Sequence, residues 1–305
     1  MKKQIVFWIL GILAIFIIGG SIYAYHLYST ASKTLDTVHQ PLKRDSDSHN
    51  PNTLKINTSK PISLLLIGAD EHDQERGRSD SLQVITLNPQ NSSMKTLSIP
   101  RDTYTEIVGK GNHDKINHAY AFGGIDMSVA TVEKFLGIPI DYYIEVNMKG
   151  FQELVDAFEG VDVHNDLDFS LEGFHFKKGT IHLNGHEALA FTRMRKEDPR
   201  GDFGRQMRQR QVIQALIKKG DGFSLLTNYN DLLAVIQKNV KTNISQNQML
   251  DLQKNYKNCL RKNEDLQISG TGHKAANGIW YYYVPEQIKQ DVTNTLKTHL
   301  ELPTP

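Results

Sequence analysis

The sequence predicts an α/β protein in which a central mixed sheet is covered by helices on both faces, behind one N-terminal transmembrane helix. Three observations carry this. An apolar run over residues 5–25 follows Lys2 and Lys3. Short apolar runs of strand length recur through the remainder, some in pairs joined by turn residues. Between others lie stretches with apolar residues at helical spacing, so paired and helix-separated strands share one sheet.

About 20 apolar residues are needed to cross the hydrocarbon layer, and residues 5–25 are that long. With the lysines held in the cytoplasm (residues 1–4), the chain beyond residue 28 lies outside, and Tyr23, Tyr25 and Tyr28 suit the outer interface. The rival is a cleaved signal peptide with Ser29-Thr30-Ala31 at its end, but a signal core of roughly 7–15 residues is shorter than this run. Residues 26–60 are polar, with the cluster 43–51 at their centre, and read as an extracellular stalk. A flexible stalk of that size spans roughly 30 Å, which keeps the folded part near the bilayer. Residues 61–220 form the core of the folded part, and residues 221–305 complete the same domain.

The formal net charge is +1, which gives no support to a nucleic-acid partner. The single cysteine, Cys259, excludes an internal disulfide and suits an exported Gram-positive protein. It is read as a packed or idle thiol on an amphipathic helix.

Ile62–Ile67 is a continuous apolar run that suits a strand buried on both faces. Leu82–Leu87 and Lys95–Ile99 are two further strands joined by the turn residues 88–92. A helix follows with Asp126 at its N-cap, Val129, Val132, Phe135 and Leu136 on one face, and Gly137 as its stop. Asp141–Val146 is a strand, a helix carries Phe151, Leu154, Val155 and Phe158 to Gly160, and Val161–Val163 is a short strand. Asn184-Gly185-His186-Glu187 is a capping box. A longer helix spans 203–219, further helices occupy about 223–260, and a hairpin pairs Leu266–Ser269 with Ile279–Val284 before a terminal helix.

Charged clusters stand where loops leave these strands. Asp70 ends the first strand and Asp80 opens the second, so a returning loop can join two carboxylates, a donor set suited to Mg²⁺. The plain alternative is a pair of solvated loop aspartates. Arg101 follows the third strand, and a hairpin of strands two and three puts it beside Asp80, either as a phosphate ligand or as a structural Arg–Asp pair. Residues 193–210 hold seven Lys or Arg against three acids. Arg205, Arg208 and Gln209 share one face of a helix start, where an anion relieves the cost of cations against the positive end of the dipole. Asp202 reads as that helix's N-cap.

Other chemistries lack their residues. No Gly-x-Ser-x-Gly elbow, His-Glu-x-x-His helix or Gly-Lys-Ser/Thr loop is present. Gly270-Thr271-Gly272-His273-Lys274-Ala275 matches a dinucleotide pattern by letter, but no helix follows, so it reads as a turn. His113 and His118 read as surface or helix-packing residues.

The segments Leu66–Asp70, Arg78–Ser81, Ser98–Asp102, Lys115–Tyr120, Leu183–Gly185, Ala188–Ala190, Arg193–Arg195 and Gly201–Gln206 occur in the order of one family. Together they resemble the LytR-CpsA-Psr family, and Asp198–Asp202 with the anchor is most similar to its LytR/TagU branch. The resemblance covers about residues 62–217. It implies a three-layer α/β/α fold and a polyprenyl diphosphate whose tail enters an apolar tunnel. It further implies Mg²⁺ or Mn²⁺ on Asp70 and Asp80, with Arg78, Arg101, Arg193, Arg195, Arg205 and Gln209 around the diphosphate. His72 stands where the family often has arginine, which weakens phosphate binding from that loop.

The expected function is a phosphotransferase. It would move an anionic glycopolymer such as wall teichoic acid from an undecaprenyl-type diphosphate in the membrane to a peptidoglycan hydroxyl. Arg101 is the expected catalytic cation, and Asp102 and Asp202 are the candidates to accept the hydroxyl proton. The alternatives are a polyprenyl diphosphate hydrolase and a non-catalytic surface protein that binds polyanions or regulates autolysis. The carboxylates discriminate, because polyanion binding alone has no use for Asp70 and Asp80.

Overall fold

A computed structural model describes residues 29–43 apart from 31 and 35, residues 60–70, residues 77–220 and residues 229–304. The expected membrane span lies outside the described residues, as do His72 and stalk residues 44–59; among the described residues no helix is long and apolar enough to cross a membrane.

The chain runs through β1 (Ile62–Ala69), β2 (Ser79–Asn88), β3 (Ser93–Ser98), β4 (Tyr104–Ile107), β5 (Asn112–Lys115) and helix α1 (His118–Leu136). Next come β6 (Tyr142–Asn147), α2 (Met148–Ala157), β7 (Val161–Asn165), β8 (Phe169–Leu171), β9 (Phe174–Phe176) and β10 (Gly179–Leu183). Helices α3 (Gly185–Arg193), α4 (Asp202–Gly220) and α5 (Tyr229–Asn239) follow, then β11 (Val240–Thr242) and α6 (Gln246–Tyr256). The chain closes with β12 (Asn263–Gln267), β13 (Thr271–Lys274), β14 (Trp280–Tyr283) and α7 (Glu286–His299).

The central sheet is six-stranded in the order β11-β6-β1-β2-β3-β12. It is mixed: β1 pairs antiparallel with β2 and parallel with β6, while β12 pairs parallel with β3. Strand alternation divides its two faces. Leu65, Ile67 and Ala69 are fully buried against Val129, Val132 and Leu136 of α1 and Leu296 of α7. The opposite phase, Leu66 and Gly68, faces α2, α3 and α4. The apolar run of β1 therefore has two uses, and helices cover both faces. A second core of Val155, Val163, Phe169, Phe176, Phe191 and Val212 seals α2, α3 and α4 against the small strand pairs β7–β10 and β8–β9.

Several elements depart from expectation. Helix α1 starts at His118 instead of Asp126, with a break at Gly124 (φ 65°), a left-handed conformation that glycine adopts without a Cβ penalty. Asp126 does not cap it; its Oδ1 accepts the Lys43 N–H at 2.8 Å. The expected hairpin of 266–269 with 279–284 does not form. Asn263–Gln267 is an edge strand of the central sheet, and the hairpin is β13–β14, so Thr271–Lys274 is a strand and not a turn. Cys259 is fully buried, on a 3-10 turn spanning Lys257–Arg261. Within the expected stalk, residues 38–43 lie against the domain: Val38 is buried, and the Gln40 N–H donates to the Thr242 carbonyl at 2.7 Å.

Candidate active site

Strands β1, β3 and β6 end at the sheet edge where β2 begins, since Ala69 is level with Ser79 and with Asn147. Asp70 leaves β1 there, and its N–H donates to the Arg78 carbonyl at 2.9 Å. Asp80 stands near the start of β2. The Ile99 N–H pairs with the Leu82 carbonyl at 2.9 Å, which carries the chain after β3 back toward Asp80. Arg101 Nη1 lies 2.9 Å from Asp80 Oδ1. Burial works against its charge, but the Asp80 and Asp102 carboxylates outweigh burial and hold the guanidinium pKa above its ordinary value.

This edge opens into a cavity of about 800 Å³ between the sheet and helices α2, α3 and α4. Its lining changes character along α4. Arg205 and Gln209 come first, then Ile213, Leu216 and Ile217, a run of about 18 Å at 1.5 Å per residue. Leu66, Ile144, Val146, Phe151 and Leu154 complete the apolar walls. Asp70, Asp80, Arg101, Arg193, Arg195, Arg205 and Gln209 all line the cavity, whereas Arg78 is exposed on its loop and does not. Ser81 Oγ donates to Gln209 Oε1 at 3.3 Å, tying β2 to α4 across the opening.

Arg205 is the most buried of the arginines that line the cavity. Burial, with Arg101 and Arg195 nearby, pushes its pKa below the usual range despite Asp202 at 2.7 Å. Its buried Nε finds no hydrogen-bond partner among the described residues. A buried donor left unmade is costly, and an anion oxygen would satisfy it. Arg193 and Arg195 are freer: Glu172 is 3.4 Å from Arg193, and Asp202 is 3.8 Å from Arg195.

Asp102 and Asp202 stand one layer behind the cavity. Asp102 holds Lys115 at 2.7 Å and touches Arg101 at 3.8 Å; Asp202 holds Arg205 and accepts from Gln206 Nε2 at 2.8 Å. Of the other cations of the 193–210 cluster, Lys196 also lines the cavity, whereas Arg200, Arg208 and Arg210 serve the fold. Arg208, 1% exposed, donates to Asp198 Oδ2 at 2.7 Å and the Met194 carbonyl at 2.6 Å. Arg200 bridges Asp198 and Asp166, and Arg210 donates to Ser98 Oγ at 2.8 Å. The expected common face of Arg205, Arg208 and Gln209 thus divides, with Arg208 turned into the protein. His118 pairs with Asp114 at 2.8 Å and His113 stacks on Tyr104, away from the cavity lining.

The apolar walls were not named from sequence. Their signal was present in the second phase of the Ile62–Ile67 run and in the apolar residues that α4 carries after its arginines. Asp70 and Asp80 offer only carboxylate oxygens, and no group of three or more His, Cys, Asp or Glu gathers among the described residues. That donor set fits Mg²⁺, which is commonly held by one or two carboxylates plus phosphate oxygens and water.

The LytR_cpsA_psr family model matches residues 22–298. The polyisoprenyl-teichoic acid–peptidoglycan teichoic acid transferase TagU of Bacillus mycoides (strain KBAB4) is 70% identical over 302 residues, covering 99% of each chain. The crystal structure of B. subtilis TagU is 46% identical, with a TM-score of 0.65 over 81% of this chain and 99% of that one. A structure of TagT bound to LI-WTA is 32% identical, with a TM-score of 0.71 over 87% and 100%. The motifs set around one polar-to-apolar cavity, the match over most of the sequence and these full-length relatives agree: the chain belongs to the LytR_cpsA_psr family.

Proposed function

We propose that this chain is a transferase that moves an anionic cell-wall glycopolymer, of the teichoic acid class, from a polyprenyl diphosphate carrier to a sugar hydroxyl of peptidoglycan. The transferase names of its relatives support the reaction class. The observation that carries the substrate is the change in lining along one cavity, from arginines and carboxylates at the mouth to aliphatic walls. A diphosphate joined to a long hydrocarbon has that same division.

In this reading the acceptor oxygen attacks the phosphorus next to the glycopolymer. A new P–O bond forms to the acceptor, the P–O bond to the carrier breaks, and polyprenyl phosphate departs, with the hydroxyl proton passing to the departing phosphate. Such chemistry depends on alignment and charge neutralisation. Arg101, Arg193, Arg195 and Arg205 hold the diphosphate oxygens and offset charge on the leaving phosphate, and Arg205 Nε gains the acceptor it lacks. A divalent cation held by Asp70 and Asp80 would supply further neutralisation at the same oxygens. Asp102 and Asp202 position Arg101 and Arg205. An anchor over residues 5–25 would keep the site at the bilayer where the carrier resides.

The test uses full-length protein in lipid vesicles with a lipid-linked anionic glycopolymer and peptidoglycan. Asp70→Asn and Asp80→Asn should each abolish transfer and weaken Mg²⁺ binding. If both variants instead bind polyanion more tightly and the wild type transfers nothing, the protein is a binding surface. Release of polymer unattached to peptidoglycan would identify a hydrolase.

A further inference from the structure

Beside the cavity mouth lies a small notch, lined by Asp102, Asp202, Phe203, Gln206, Trp280 and Tyr282. We infer that this notch is the seat of the acceptor: one hydroxyl or hydroxymethyl group of a peptidoglycan sugar enters it while the sugar ring rests on Trp280. The inference rests on the transferase reading above and names where its second substrate binds.

Four observations carry it. First, the notch and the diphosphate site share a wall. Asp102 touches Arg101 at 3.8 Å and Asp202 holds Arg205 at 2.7 Å, so a group in the notch is one side chain from the proposed clasp. Second, its volume of about 20 Å³ admits a single water-sized group, too little for a sugar ring and enough for one hydroxyl. Third, its lining combines aromatic faces with carboxylates and an amide. Apolar surface with a few placed polar groups is the general make-up of a small-ligand site. Aromatic rings suit the C–H faces of a sugar, and carboxylates accept from its hydroxyls.

Fourth, the hairpin β13–β14 is built to present Trp280. Residues 280 and 282 share one face by strand alternation, and the Tyr282 N–H donates to the Asp102 carbonyl at 2.8 Å, fixing that face over the notch. On the other face Tyr281 and Tyr283 pack on Tyr104, with centroids 5.0 and 5.2 Å apart. Gly272 makes room for the indole, since a Cβ there would lie 2.0 Å from Trp280 Cζ2; a Cβ on Gly270 would lie 2.2 Å from the Tyr283 carbonyl oxygen. The glycines that resemble a dinucleotide motif are the close-approach positions of this hairpin.

The chain has two tryptophans, so Trp8→Phe leaves Trp280 as the sole tryptophan, whose emission is read with excitation on the red side of the tyrosine band. In that full-length background, uncross-linked peptidoglycan strands should shift Trp280 emission saturably. Trp280→Leu and Gly272→Ala should each raise the acceptor KM about tenfold, the loss expected of an aromatic anchor, with Trp280→Tyr restoring most of it. Affinity for the polyprenyl diphosphate donor should stay at the wild-type value in every variant. Unchanged emission with saturating strands, or an unchanged acceptor KM in both variants, overturns the inference. If a variant loses donor binding through misfolding, the emission titration of the Trp8→Phe protein decides alone. Failure of the transferase reading is seen separately, as absence of donor binding and transfer in the wild type.

Discussion

Arg101→Ala should act with opposite signs on two ligands. Arg101 Nη1 sits 2.9 Å from Asp80 Oδ1, on one of the two carboxylates that would hold the cation. Removing the guanidinium takes a positive charge away from the proposed cation site. Unit charges 4 Å apart interact by about 1 kcal/mol in water and about 4 kcal/mol at an effective dielectric constant of 20. The two side chains are 29% and 26% exposed, so screening places the effect toward the lower figure. About 1–2 kcal/mol corresponds to cation binding roughly five- to thirtyfold tighter. The diphosphate loses instead. A hydrogen bond to a charged group contributes about 1.5–3 kcal/mol, and a guanidinium can make two, so transfer should fall by about a hundredfold or more. Calorimetric titration of full-length protein with Mn²⁺, alongside a transfer assay, reads both effects. Weaker or unchanged Mn²⁺ binding refutes the competition between Arg101 and the cation, and normal transfer removes Arg101 from the site.

Three further predictions concern the frame around the site. Asp198 is a buried carboxylate; burial alone would raise its pKa, but hydrogen bonds from Arg200 and Arg208 outweigh burial and hold it well below the usual range. Its contribution to stability is therefore complete above the ordinary carboxylate pKa of about 4 and drains as pH falls below it. Asp198→Asn should flatten that acid limb in pH-dependent thermal unfolding; an unchanged limb assigns it to other carboxylates. Gly204→Ala would put a Cβ 1.9 Å from Asp198 Oδ2, so melting temperature should drop together with donor affinity, and a variant as stable as wild type would contradict the packing of α4 on that loop. Leu216→Trp narrows the apolar end of the cavity, remote from the arginines along α4. It should weaken binding of a long polyprenyl diphosphate while sparing a short-chain analogue, and equal losses for both would place the tail elsewhere.

Elements that join local pairing to a strong pattern of their own were legible in the sequence. Leu82–Leu87 and Lys95–Ile99 carry strand-length apolar patterns around a clear turn, and their hairpin register alone brings Arg101 to Asp80. The capping box at Asn184 and Glu187 likewise forms within one turn of helix. Strand β11 was not legible and β12 was read only at its end and with the wrong partner, because Val240–Thr242 and Asn263–Gln267 are short or polar and become strands only through partners far away in the chain. The β4–β5 and β8–β9 pairs are as short, and tertiary packing decides them.

The sequence by itself determined the family, the order of the main elements and the pool of charged residues from which the site is drawn. Motif spacing and hydrophobic period are properties of the chain alone. Only the tertiary structure decided which cations face the cavity. Arg205 and Arg208 sit three residues apart on one helix with the same side chain, yet one meets the open cavity and the other is closed over by Asp198 and the Met194 carbonyl. Burial and partner geometry are set by the surfaces that α4 packs against, and those surfaces come from segments that no local pattern connects.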